Sequence, residues 1–158
     1  MVSKVIPERM AAHTDEEFVV FLIGMRINKF WKFHRWIPVA LAMGRMLKEL
    51  SQMENSDLLS FEAWGGRTSI MVQYWRSFDA LEEYARNNSQ EHMPAWNQFN
   101  RLINTNGDVG IWHETYTIKP GNFEAIYGNM PPFGLARAVG MVPAKGQYKN
   151  ARNRLKAA

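Results

Sequence analysis

The chain has no cysteine. That removes disulfides, thiolate metal sites and a cysteine nucleophile together, and it suits a reducing compartment. Long apolar runs are missing too. The longest, Phe18 to Met25, is far too short to span a bilayer, and Met1 to Met10 lacks the apolar stretch of a signal peptide. The expectation is a cytoplasmic protein with no membrane partner. There is no Gly-rich phosphate loop, no nucleophile elbow and no close carboxylate pair, so the chemistries that need them have no foothold. A zinc site would need Glu91, Glu114 or His34 as a third ligand, and no HExxH-like spacing supports it.

What is present fits one globular unit. A chain of 158 residues suits a single domain that buries roughly 70% of its unfolded surface. The apolar share of 46% and charged share of 22% are ordinary. The net charge is +4, and the excess sits largely at Lys145, Lys149, Arg152, Arg154 and Lys156, which read as a solvated tail. Aromatics interleaved with Lys32 and Arg35 lend slight support to nucleic acid, which is not expected as a partner. Six Trp, five Tyr, nine Phe and ten Met can line an apolar ligand cavity, fill a core or form a dimer interface.

Residues 1–15 are polar and read as an irregular N-terminal arm. Phe18 to Met25 is apolar and β-branched, which marks a strand buried on both faces. A helix follows Pro38, since Pro favours the first turn. Its stripe is Val39, Met43, Met46, Leu47 and Leu50. Leu58 to Trp64 and Ser69 to Trp75 are strands joined by a Gly65-Gly66 turn. Ser77 caps a second helix whose pattern resumes, after Asn87 to Ser89, with His92, Trp96, Phe99 and Ile103. Val109 to Ile118 and Phe123 to Tyr127 are further strands, and Met130 to Gly134 is a loop because paired prolines cannot donate to a ladder. The order is β-α-β-β-α-β, an α+β ferredoxin-like arrangement with both helices on one sheet face. A second copy is the simplest cover for the other face, which gives a homodimer. The division is a 1–15 arm, a 16–134 domain and a 135–158 basic tail. The tail residues 145–158 lack an apolar stripe and are expected to be dispensable.

Of four histidines, His13 reads as incidental and His34 as part of a packed aromatic loop. His92 shares an apolar helix face with Trp96. It is either a satisfied core histidine or an iron ligand. His113 alternates along its strand with Ile111 and Thr115, opposite Trp112, Glu114 and Tyr116, and so can look into the space between helices and sheet.

Gln73 to Ala85, with Trp75, Ser77 and Leu81 in a W-x-S-x-x-x-L pattern, followed by His92 to Trp96, resembles the antibiotic-biosynthesis-type monooxygenases. Phe18 to Asn28, Val72 to Ser77, Val109 to Tyr116 and Glu124 to Gly134 extend the likeness across almost the whole chain, to a bacterial family related to a fumagillin-biosynthesis monooxygenase. The resemblance implies a dimeric α+β barrel and a monooxygenase-like oxidoreductase with a small apolar or aromatic substrate. A remoter similarity to haem-containing aldoxime dehydratases implies haem as cofactor. There His92 would be the metal ligand, Trp96 a cofactor contact and His113 the distal acid/base. The chain has only one such repeat, so the Arg and Ser of the dehydratases' other repeat have no counterpart. Cofactor-free monooxygenases of this fold need no haem, and a haem-dependent dehydratase or a non-catalytic ligand-binding module are the alternatives. Trp75, Trp112 and Tyr116 are further wall or interface candidates.

Overall fold

The computed structural model describes residues 4–52, 57–86, 97, 101 and 106–157. Strand β1 (Ile6–Ala12) precedes β2 (Phe18–Ile27), α1 (Phe33–Gln52), β3 (Leu58–Trp64), β4 (Ile70–Trp75), α2 (Phe78–Arg86) and β5 (Val109–Ile118). After these come β6 (Ile126–Met130), α3 (Leu135–Val139), β7 (Met141–Pro143), a 3-10 turn at Gly146–Tyr148 and α4 (Ala151–Ala157). The main sheet runs β3-β4-β2-β5 with every pair antiparallel, which is the ferredoxin-like order.

Central β2 pairs with β4 and β5, matching Phe21 to Gln73 and Thr115, and Ile23 to Met71 and His113. It is buried at its two ends, at Phe18 and Val19 and at Gly24, Met25 and Ile27. It is half-buried from Val20 to Ile23 and exposed at Arg26, so the expected burial on both faces is only partial. Val19 packs with Leu50, Trp75, Leu81 and Tyr84. Met25 and Ile27 pack with Val39 and Val109. The α1 stripe of Val39, Ala42, Met46 and Leu50 is buried at helical spacing. Ser77 Oγ accepts the Ala80 N–H at 3.1 Å, and Asp79 lies in the first turn, so α2 starts on a side-chain cap.

Four expectations are corrected. Helix α1 starts at Phe33, with Pro38 inside it. Trp36 Nε1 donates to the Phe30 carbonyl at 3.0 Å, and the two rings pack at 6.5 Å, so tertiary contacts fix the helix start ahead of the proline. Residues 1–15 are not irregular: β1 is the centre of a second sheet, β6-β1-β7, anchored by buried Met10, Ala11 and Ala12. Strand β6 begins at Ile126 rather than Phe123, because Phe123 turns inward to meet Phe18 edge-on at 5.2 Å. The tail is docked. Arg154, 6% exposed, pairs with Glu124 at 2.7 Å and donates to the Tyr148 carbonyl at 3.0 Å.

The sheet face away from α1 and α2 is not left wholly to a second copy. Ala12, Leu135 and Ala136 cover its Phe18 end, joined by Val20, Tyr74 and Phe123. Gly134 makes that crossing possible. Its φ of 56° and ψ of −126° suit only glycine, and a Cβ there would meet Tyr74 Oη at 3.3 Å. Burial in this cluster raises the Tyr74 and Tyr127 hydroxyl pKa values.

Candidate active site

A cavity of about 420 Å3 opens between the main sheet and the two helices, within the size range of small-molecule sites. Phe21 and Ile23 of β2, Met71 and Gln73 of β4, and Ile111, His113 and Thr115 of β5 form its floor. Met43 and Met46 of α1, with Phe78 and Glu82 of α2, close its sides. The β5 alternation thus places His113 on the cavity wall, at its exposed edge, with its ring 5.7 Å from that of Phe21. Trp112, Glu114 and Tyr116 lie on the opposite face. There the Tyr116 hydroxyl donates to Glu114 Oε2 at 2.6 Å, which raises the phenol pKa.

Polar groups on the wall are few. Gln73 is buried, its Oε1 accepts the Trp75 indole N–H at 2.8 Å, and its Nε2 meets the Met71 sulfur at 2.9 Å. A thioether is a weak acceptor, so that amide keeps donor capacity toward a ligand. Glu82 is held by Arg86 at 2.7 Å, one turn along α2.

His92 and Trp96 lie outside the described residues, so the sequence expectation for them stands without a position. Trp75 is not a wall residue: it packs behind the cavity against Tyr84, ring to ring at 5.5 Å. His34 sits exposed on the first turn of α1, its ring against Phe33 at 6.0 Å. His13 packs on Tyr148 at 5.3 Å. Among the described residues no group of three or more His, Cys, Asp or Glu could hold a metal ion. Gln73 escaped the sequence reading because it falls on the Ser69-Met71-Gln73 side of an alternation whose apolar side was Ile70, Val72 and Tyr74. The usable signal was a lone amide among Met71, Val72, Tyr74 and Trp75.

A protein-family model described as "Monooxygenase af470-like" matches residues 18–135. The chain is 27% identical over 147 residues to a curated protein named Monooxygenase af470 from Aspergillus fumigatus, covering 84% of this chain and 51% of that protein. It therefore spans about half the length of that relative. Among solved structures, an aldoxime dehydratase is similar in fold, with a TM-score of 0.64 at 16% identity over 90% of this chain and 45% of that one. A cofactor-independent oxygenase, SnoaB from Streptomyces nogalater, matches at a TM-score of 0.46 and 10% identity, over 65% of this chain and 94% of that one.

Proposed function

The chain belongs to the af470-like monooxygenase family, and from that premise we propose that it oxygenates a small apolar or aromatic substrate held between its helices and its sheet. The observation that carries this reading is one imidazole, His113, and one buried amide, Gln73, on the same mostly apolar cavity, whose other polar lining is Glu82, Tyr84 and Thr115. The substrate is phenol-like. His113 accepts its hydroxyl proton, and the Gln73 Nε2–H donates to the oxyanion that forms. The electron-rich anion then reacts with dioxygen directly. The ring system of this substrate also carries a CH2 carbon conjugated with the oxyanion. One oxygen atom enters there as a carbonyl, and the other leaves as water with the two C–H hydrogens, whose bonds supply the electrons. His113 returns its proton to the oxyanion. The methionine-rich walls adapt to a flat ring system.

Haem is the second reading, favoured by His113 on a cavity wall together with the aldoxime dehydratase resemblance of the sequence. Bound through His92 beside Trp96, haem would supply a redox-active iron. Because those two residues lie outside the described ones, the chemistry above uses none. His113 serves both readings as the group that moves a proton.

A homodimer completes the proposal. Away from the Phe18 end, the outer sheet face carries half-buried Leu22, Ile70, Val72 and Trp112, outside the cluster that α3 builds, with Trp64 packed on Phe133 at 6.1 Å. The test of function is dioxygen uptake with a panel of polycyclic phenols, in chelator-treated buffer and again after haemin addition. Uptake without haemin supports the cofactor-free reading, and uptake only with haemin supports the second. No uptake in either, with no phenol bound, overturns the site.

A further inference from the structure

From α1 and the loop before it, we infer that this face of the protein docks on an anionic lipid surface. Phe33, Ile37 and Leu41 recur one helical turn apart, on the side of α1 opposite the buried stripe of Val39, Ala42, Met46 and Leu50. Phe33 is 61% exposed and Leu41 60%, and the preceding loop adds Trp31 at 72% and Phe30 at 49%. Helix α1 is therefore apolar on two faces, and among the described residues only one of them is buried. An apolar patch of this kind marks an interaction surface.

Charge selects the occupant. Residues 26–48 carry Arg26, Lys29, Lys32, Arg35, Arg45 and Lys48 and no Asp or Glu. Asp108 reaches this region from β5's start and is buried beneath Lys29 at 2.8 Å and Lys32 at 3.0 Å. Two ammoniums on one carboxylate leave that cluster with one positive charge in excess. Arg67 lies 5.8 Å over the Phe30 ring, bringing a further cation to the aromatic cluster. Exposed Trp and Phe beside Lys and Arg are the composition of an interfacial helix, with rings at the headgroup boundary and cations on anionic lipid. No described helix is long and apolar enough to cross a membrane, and a surface-bound helix need not be. A second copy on the outer sheet face sits on the far side of the sheet from this stripe. Since Val39, Met43 and Met46 of the same helix line the cavity, docking sets that cavity about 10 Å, one helix diameter, from the bilayer.

The test is flotation of the full chain with vesicles of phosphatidylcholine plus phosphatidylglycerol, against phosphatidylcholine alone. The chain is expected to float with the anionic vesicles and to release as salt rises. Trp31→Ser with Phe33→Ser, both at exposed positions, should weaken flotation about tenfold while leaving circular dichroism and sedimentation unchanged. Lys48→Glu should weaken it to a smaller degree. No flotation with either vesicle overturns the proposal, as does flotation of the double variant at the wild-type level. A changed oligomeric state in the double variant assigns the patch to a second copy instead. Binding of single-stranded DNA that the double variant loses assigns it to nucleic acid, and either result also overturns the bilayer.

Discussion

Gln73 accepts the indole N–H of Trp75 at 2.8 Å, from a residue two positions along the same face of the same strand. Both side chains are buried, so the bond fixes the amide with its oxygen toward Trp75 and its nitrogen toward Met71 and the cavity. Gln73→Leu strands the indole donor and should lower stability by about 1–3 kcal/mol. Adding Trp75→Phe removes the stranded donor while opening a small cavity of its own, so the double variant should lose less than the two single losses added together. Urea denaturation of both variants checks the pair, and a double variant no better than the sum of its singles refutes the coupling.

Arg154 should matter more than its place near the C-terminus suggests. Its guanidinium is buried against Glu124 and the Tyr148 carbonyl, and Glu124 is partly solvated. Arg154→Ala should therefore cost about 1–3 kcal/mol, below the value for a fully buried pair. Ending the chain at Ala144 should destabilise the second sheet. A thermal melt of the shortened chain that matches the intact one would restore the dispensable tail.

Much of this architecture was legible because periodicity reports burial. The span of β3 was read as it stands, β4 to within one residue, and β2 from its start. The alternation on β5 separated His113 from Trp112 correctly. What periodicity missed was held by other forces. Strand β1 buries two small alanines beside Met10, so its apolar signal is weak. Helix α4 is anchored by the charge of Arg154 rather than by a stripe. The start of α1 is set by Trp36 reaching back to Phe30. Gln73 was hidden because a buried amide looks like a solvent-facing one until its partner, here Trp75, is known.

Asp108 links the fold to acid. Its hydrogen bond to Lys29 foremost, with that to Lys32, holds the carboxyl pKa below the usual carboxylate range against the opposing effect of desolvation. A depressed pKa gives stability that is present above the unfolded value, near about 4, and lost as pH falls through the folded one. Stability should thus decline below about pH 4, and Asp108→Asn should flatten that decline while lowering stability at neutral pH. Chemical denaturation across the acid range measures both, and an unchanged slope in the variant would exclude Asp108 from the acid response.

The outer sheet face makes a quantitative demand. Val72 lies opposite Leu22 in the register, on the outer face and outside the cluster that α3 builds at the Phe18 end. A charge there opposes any face-to-face pairing, because a desolvated carboxylate without a partner costs several kcal/mol. Val72→Asp should convert a dimer to a folded monomer in sedimentation velocity. A wild-type chain that is already monomeric at micromolar concentration would sink the dimer.

The two histidines separate the chemical readings. His113 is on the cavity wall beside Phe21, exposed enough to be replaced without opening the core. If it moves the substrate proton, His113→Ala should retain ligand binding and lower turnover by roughly 100- to 10,000-fold. That split between binding and rate is what a merely structural residue would not give. His92→Ala asks a different question. If His92 ligates iron, the variant should lose haem retention and its Soret band while circular dichroism stays unchanged. If His92 is a core histidine, the same variant should show unaltered spectra and a stability lower by about 1–3 kcal/mol. The cofactor-free reading predicts a third pattern: wild-type protein that remains colourless after haemin addition, uptake of dioxygen that His92→Ala leaves intact, and loss of that uptake in His113→Ala. Equal turnover in His113→Ala and wild type would remove His113 from both readings, since each routes its proton through that imidazole.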